Sequence, residues 1–392
     1  MSHILEEYAK NLGVYISKPI VSEHYFPICE DKYIVLHSEE KIQSKNYKYY
    51  NMVLELLRPF LIENNIKIIQ IDCKSEPVSH VNKVLSNLSF KQYAYIISKA
   101  LLYIGVDNVY SHYASSKNIP IINLFGNVYP SISNGYWSKN NEKIDIPAKW
   151  SNKPCLSLVD PKAEINTIKP EEIAQGVLTL LKQKKTINFK TLYIGSMFNE
   201  RIIEVIPDKS FNNTLDKNKT IFIRADYGFN EKIFLDYCLN YRVAIITDKL
   251  IQHKGLLTIK NNIQKLSLIV ERDSETIPSE YFDLLKKYKI EFQILVKNED
   301  DLGFIKNKYF DYSVNLYTIN KNKPENIHQD CKFFSNKILI EGEKVYPSKA
   351  HWISKEKMID KIDYILDTNE YWNELDHFYI YEQSQTKASS RT

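Results

Sequence analysis

The residues best placed for chemistry lie in one short stretch, Asp107-Asn108-Val109-Tyr110-Ser111-His112, which follows an apolar run at 101–106. Helix-compatible residues come next, and after Pro120 a second apolar run ends at Gly126, so the order reads strand, helix, strand. In such a βαβ unit the crossover puts Asp107, Asn108 and the first helical turn at the carboxyl end of a strand. Open α/β sheets bind ligands at that edge, and the amides of a helix start face anions, so a phosphate-bearing ligand is expected. Two alternatives stay open for single residues. Asp107 either hydrogen-bonds its own turn or accepts from a ligand hydroxyl, and His112 is either a structural histidine or a ligand contact.

Several other elements must cooperate to position these residues. Residues 33–37 form a short uncharged run that reads as a buried strand, and a polar loop carrying Ser38 and Lys45 leads from it into a helix at 50–61. That is a second ligand-facing junction. A third is the exit of the strand at 66–71, which carries Asp72, Ser75 and Glu76; Ser75 or Glu76 could equally cap a following helix. The amphipathic segment 90–100 feeds the central strand as scaffold. The turn-rich residues 126–137 form a loop on the same edge, and Pro170 opens a helix with apolar residues at Ile173, Val177, Leu178 and Leu181. At the start, Ser2 is the expected cap of a helix whose face is Ile4, Leu5, Tyr8, Ala9 and Leu12, ended by Gly13.

The ordered series resembles the donor-binding domain of glycosyltransferase family 9, the ADP-heptose lipopolysaccharide heptosyltransferases, over residues 1–187. The central motif of that family is an aspartate, a small polar residue, glycine, any residue, serine and histidine. A helix and a Pro-led strand ending in Phe-Gly follow it. Here the motif is Asp107-Asn108-Val109-Tyr110-Ser111-His112, with Val109 where the family has glycine. His37, Ser38 and Lys45-Asn46-Tyr47 resemble the family's first loop, and Ile168-Lys169-Pro170-Glu171-Glu172-Ile173 resembles its closing helix. The resemblance implies a nucleoside-diphosphate sugar as donor. Ser38, Lys45, Glu76, Asp107, Asn108, Ser111 and His112 would then be donor-binding residues. In that role Ser38 contacts the donor phosphate, Lys45 meets the leaving diphosphate and Glu76 holds the ribose or base. Lys45 read alone is also an ordinary solvated lysine.

Composition sets the limits within which these motifs act. The 392 residues suffice for about two or three domains, and 44% hydrophobic with 26% charged residues is an ordinary globular balance. A formal charge of +4 is too mild to demand a polyanionic partner, so no nucleic acid is expected. The five cysteines are scattered and form no metal-ligand spacing among themselves. Free, buried thiols and a cytoplasmic location are therefore expected. No run approaches the roughly 18–20 apolar residues of a membrane span.

After a polar, basic junction at 182–188, strands alternate with helices again up to residue 317, which predicts a second Rossmann-like domain over 188–330. Its strand at 220–224 is followed by Asp226, Gly228 and Glu231. By resemblance to the opening of the family's acceptor domain, in altered domain order, Asp226 or Glu231 would supply the general base; a carboxylate at that junction also reads as a helix cap. Residues 331–392 are expected as an aromatic-rich extension packing back on the domains, with Trp352 and Trp372 either in that packing or stacked on a carbohydrate. The fold expected is α/β, two Rossmann-like domains in a glycosyltransferase-B-like arrangement.

The function expected is metal-independent transfer of a sugar to a hydroxyl of a glycan or lipopolysaccharide-like acceptor, without a cofactor. The family's acceptor domain precedes the donor domain, so a separate acceptor-domain partner also stays open. The alternative is a catalytically inactive binding or structural subunit.

Overall fold

The computed structural model describes residues 2–74, 76–160, 162–198, 201–211, 215, 220–317, 322–355 and 363–383. The chain divides into two compact units, Met1–Lys190 and Thr191–Gln383.

The first unit runs α1 (Ile4–Leu12), β1 (Tyr33–Leu36), α2 (Tyr50–Glu63), β2 (Lys67–Ile71), β3 (Lys83–Leu85), α3 (Phe90–Ser98), β4 (Leu102–Val106), α4 (Val109–Ser116), β5 (Ile121–Phe125), α5 (Pro130–Ser133), β6 (Lys143–Pro147) and α6 (Pro170–Leu180). Its six strands form a parallel sheet in the order β3-β2-β1-β4-β5-β6. This is the doubly wound order, and the connections leave β1 and β4 in opposite directions. The strands β1, β4 and β5 are buried at every position, as uncharged runs covered on both faces must be. Each Ile, Val or Leu so buried contributes roughly 1.5–3 kcal/mol of transfer free energy.

Helix ends follow local chemistry. In α3 the Ser89 hydroxyl and Gln92 form a capping box, and α6 starts on Pro170 with Glu171 and Glu172 in its first turn. In α1 the cap is His3 rather than Ser2: the His3 ring accepts from the Leu5 amide while Glu6 accepts from the His3 amide. Gly13 closes α1 at φ +65°.

The second unit contains β7 (Phe189–Ile194), β8 (Ile202–Ile206), β9 (Ile221–Arg224), α7 (Glu231–Asn240), β10 (Val243–Thr247), α8 (His253–Ile259), β11 (Ile263–Ile269), α9 (Ser279–Lys287), β12 (Glu291–Val296), α10 (Glu299–Lys308) and β13 (Val314–Leu316). It continues with β14 (Lys332–Ser335), β15 (Lys337–Glu341), β16 (Lys344–Tyr346), α11 (Lys349–Ser354), α12 (Asn369–Trp372) and β17 (Phe378–Gln383). The larger sheet has the order β13-β12-β11-β10-β9-β8-β15-β16, parallel except for the β15–β16 hairpin. A smaller sheet has the order β14-β17-β7.

The carboxyl-terminal stretch differs from its expected role as an extension from residue 331. It is integral to the second unit, because β15 pairs in parallel with β8 in the main sheet while β14 and β17 pair with each other. The physical reason is an apolar cluster of Phe333, Tyr371, Trp372, Phe378 and Ile380, which buries its aromatic rings against one another. The expectation placed on residues 384–392 lies outside the described residues. Among the described residues no helix is long and apolar enough to cross a membrane.

Candidate functional site

The candidate site lies at the carboxyl edge of the first sheet, where the exits of β1 and β4 meet. Asn108 ties them together. It caps α4 from an extended backbone, its Oδ1 accepting from the amides of Tyr110 at 2.9 Å and Ser111 at 3.0 Å. Ser111 reciprocates, its hydroxyl accepting from the Asn108 amide and donating to the Asn108 carbonyl. The other end of the Asn108 side chain reaches across the crevice and donates to His37 Nδ1 at 2.9 Å and Glu40 Oε1 at 2.7 Å. His37 is buried, and burial pushes its pKa down against the pull of Glu40, Asp72 and Glu39. It is therefore held as the neutral ring that can accept from an amide.

Next to this lock, three groups converge on Asp107. Lys45, at the end of a single 3-10 turn (Gln43–Lys45), donates to the Asp107 carbonyl at 2.5 Å and to Oδ2 at 3.2 Å. The Ser133 hydroxyl donates to Oδ2 at 2.9 Å, and His112 Nε2 lies 3.1 Å from Oδ1. Burial pushes the Asp107 carboxyl up, but the bond from His112, the Lys45 charge and the bond from Ser133 outweigh it and hold the pKa below its ordinary value. Asp107 is therefore an ionised carboxylate that pre-assembles a lysine and a histidine at the sheet edge. Both remain partly accessible, with the Lys45 side chain 16% and the His112 side chain 28% exposed. The His112 Nδ1 is buried without a hydrogen-bond partner.

The neighbouring loops close on the same edge. Ser38 accepts from Gln70 Nε2 at 2.7 Å, and Gln70 in turn accepts from the Val78 amide. Glu39 accepts from the Lys74 amide, and the Tyr110 hydroxyl donates to Asp72 at 2.9 Å. Glu76 sits exposed on that β2 exit loop, its carbonyl 3.9 Å from the Cys73 sulfur. Ser75 lies outside the described residues. On the β5 side, Gly126 packs so tightly that a Cβ there would stand 2.5 Å from the Ser44 carbonyl oxygen, which fixes the loop bearing Lys45 against the sheet. Val109, at the position of the family's glycine, is 57% exposed.

The structure thus brings Lys45, Asp107, Asn108, Ser111 and His112 into one hydrogen-bonded set, ties Ser38 through Gln70 to Val78 on the neighbouring β2 exit loop, and leaves Glu76 on that loop. Ser111 and the Asn108 Oδ1 are spent on capping, and the Asn108 Nδ2 on His37 and Glu40. The sequence reading did not include Glu40, Ser133 or Asp72 among the site residues; no local spacing marks them, because each meets its partner across a strand exit.

Asp226 and Glu231 belong to the second unit. Asp226 receives both Nε and Nη2 of Arg224, at 2.9 and 2.8 Å, and the hydroxyl of Tyr317 at 3.1 Å. Burial raises the Asp226 pKa while Arg224 draws it down, and the net direction is upward. The Arg224 guanidinium also donates to Glu204 and lies 3.6 Å over the Tyr227 ring. Lys337 then bridges Glu204 and Glu374. This is a buried network of alternating charge, and Asp226 is one of its terms. Glu231 opens α7, is exposed, and lines a groove with Phe229, Thr247 and Lys249.

No family model matches the chain. Among solved structures it is similar to the E. coli heptosyltransferase WaaC with ADP, at 19% identity and a TM-score of 0.31 over 45% of this chain and 54% of that one. It is similar to the glycosyl transferase family 9 protein from Veillonella parvula DSM 2008, at 14% identity and 0.32 over 45% and 50%. It is also similar to the dodecameric iron-containing heptosyltransferase TibC in complex with ADP-D-beta-D-heptose, at 13% identity and 0.35 over 44% and 52%. The chain spans about half the length of each of these structures, and the similarity is one of segments.

Proposed function

We propose that the chain is a glycosyltransferase that binds a nucleoside-diphosphate sugar at the carboxyl edge of its first sheet and moves the sugar to a hydroxyl of a glycan or lipopolysaccharide-like acceptor. The observation that carries this reading is the convergence of Lys45 and His112 on Asp107 at the crevice between β1 and β4. At 3.2 Å and an effective dielectric of 20, the Lys45–Asp107 attraction is about 5 kcal/mol before desolvation is subtracted. A diphosphate carries more charge than one carboxylate and can compete for the same ammonium. In this reading Lys45 and His112 turn from Asp107 to the departing diphosphate and neutralise it without a divalent ion. Ser38 supplies a hydroxyl to the phosphate, and Glu76 meets the nucleoside.

Of the two carboxylates expected as general base, Asp226 is held by Arg224 and Glu231 is exposed at the start of α7. Calorimetry with nucleoside diphosphates and their sugars, ADP and ADP-heptose first, tests the binding step. Donor hydrolysis and transfer assays then test turnover. Saturable binding, and release of the nucleoside diphosphate on turnover, are expected; absence of any nucleotide binding ends the proposal, and binding without turnover across a range of acceptors replaces it with an inactive binding subunit.

A further inference from the structure

The second unit holds a set of side chains with no part in sugar transfer. His328 and Cys331 are the first and last residues of a tight turn, closed by the Cys331 amide donating to the His328 carbonyl at 3.1 Å. A turn of that kind brings the side chains at its two ends to one side, which is why residues three apart recur as chelating pairs. Immediately after it, β14 pairs antiparallel with β17, Lys332 opposite Tyr381. Continued by one residue, that register sets Cys331 opposite Glu382. The imidazole consequently lies between a thiol and a carboxylate: Cys331 Sγ is 3.7 Å from Nδ1 and Glu382 Oε1 is 3.0 Å from Nε2. One ligand atom from each of the three residues lies within 4.8 Å of the others.

We infer that His328, Cys331 and Glu382 form a binding site for a divalent cation of intermediate softness, Zn2+ by preference. The donor set of one sulfur, one nitrogen and one oxygen suits Zn2+ better than Mg2+ or Ca2+, which favour oxygen throughout. Bonds of about 2.0–2.3 Å place tetrahedral ligand atoms about 3.5 Å apart, so the ligand atoms must draw together and the half-exposed imidazole must turn until one nitrogen faces both the sulfur and the carboxylate. Cys331 is buried and anchors the site from the apolar cluster beneath it, while His328 is half exposed and leaves a fourth position open to water. Binding replaces the Cys331 S–H bond with a sulfur–zinc bond and releases one proton to solvent. The metal would pin the last described strand to the turn that precedes β14, a structural role rather than a catalytic one.

The test uses the full chain carrying Cys29→Ser and Cys155→Ser, which removes the two thiols that are not buried. After chelator dialysis, Zn2+ is titrated in competition with a chromophoric chelator, and Co2+ binding is followed by absorption. One Zn2+ per chain, a raised Tm and a thiolate-to-cobalt charge-transfer band are expected. His328→Ala, at a half-exposed position where folding is not at stake, should weaken binding by at least about tenfold, and Glu382→Gln should weaken it too. Cys331→Ser should abolish the cobalt band, and if that variant fails to fold the other two still decide the matter. No Zn2+ bound, binding unchanged in His328→Ala, or cobalt bound without a thiolate band would each overturn the inference.

Discussion

Asp107 carries a paired burden, since it is both the anchor of the proposed site and a buried charge that needs its partners. Lys45→Ala removes one partner and leaves the carboxylate against Ser133 and His112 alone. Unfolding in urea should then show a loss of roughly 1–3 kcal/mol, the cost of a buried polar group deprived of its partner. Diphosphate affinity by calorimetry should fall about tenfold or more. Lys45→Arg keeps the charge and should recover most of the stability. Because the folded Asp107 pKa lies below its ordinary value, its contribution to stability is present above the unfolded value near 3.9 and is lost as pH falls through the lower, folded one. The Lys45→Ala difference should therefore shrink in strong acid. His351 titrates in a different window. It is fully buried, with Ser348 on Nδ1, the rings of Phe333, Tyr364 and Tyr371 around it and no partner for Nε2, and burial pushes its pKa down to about 4. Between about pH 6.5 and 4 the unfolded chain takes the proton and the folded chain does not. Stability should fall with pH across that window, by up to about 1.4 kcal/mol per unit. His351→Phe should flatten that portion of the urea midpoint curve; an unchanged slope would show that the ring is charged in the fold.

Helix α4 joins the residue to the sheet, and its start serves two purposes through one side chain. Asn108→Ala deletes the cap and the bridge to His37 and Glu40 together, so its cost should exceed the roughly 1 kcal/mol typical of a lost cap. Asn108→Asp separates the two contributions. An aspartate still accepts from the Tyr110 and Ser111 amides, and suits the positive end of the helix, but turns a donor toward Glu40 into a like charge at 2.7 Å. Thermal melts of the two variants at neutral pH should find both destabilised, with Asn108→Asp recovering as the pH approaches the carboxylate range and Asn108→Ala not. The strand–Asp–helix pattern was legible because uncharged apolar runs, a polar turn and Pro120 are all local signals. What was not legible is that the polar atoms of Asn108 and Ser111 are spent within the protein, on the cap of α4 and on His37 and Glu40. Capping and anion binding call for the same residue types at the same place, and only coordinates separate them.

At the scale of the whole molecule the legible part is the alternation of strand and helix, and the illegible part is what pairs across distance. The main strands of both sheets were evident as apolar runs. β15, however, had no local mark showing that it would lie beside β8, more than a hundred residues earlier, instead of in an appendage. Nor could spacing show that Arg224, the last residue of the strand expected at 220–224, is the centre of a buried network drawn from β8, β9 and β15. His328 and Cys331 escaped for a related reason: the cysteines were weighed against one another, and the partner of Cys331 is a histidine and a carboxylate brought in by β17. Since each unit has its own core, the chain should unfold calorimetrically in two transitions. Arg224→Met removes the cation that faces Glu204 and Asp226 and leaves two buried carboxylates short of a partner, a loss of about 3–5 kcal/mol. That variant should lower one transition by many degrees and leave the other in place, and Lys45→Ala should move the other one. A single transition displaced equally by both substitutions would mean that the two units fold as one cooperative body.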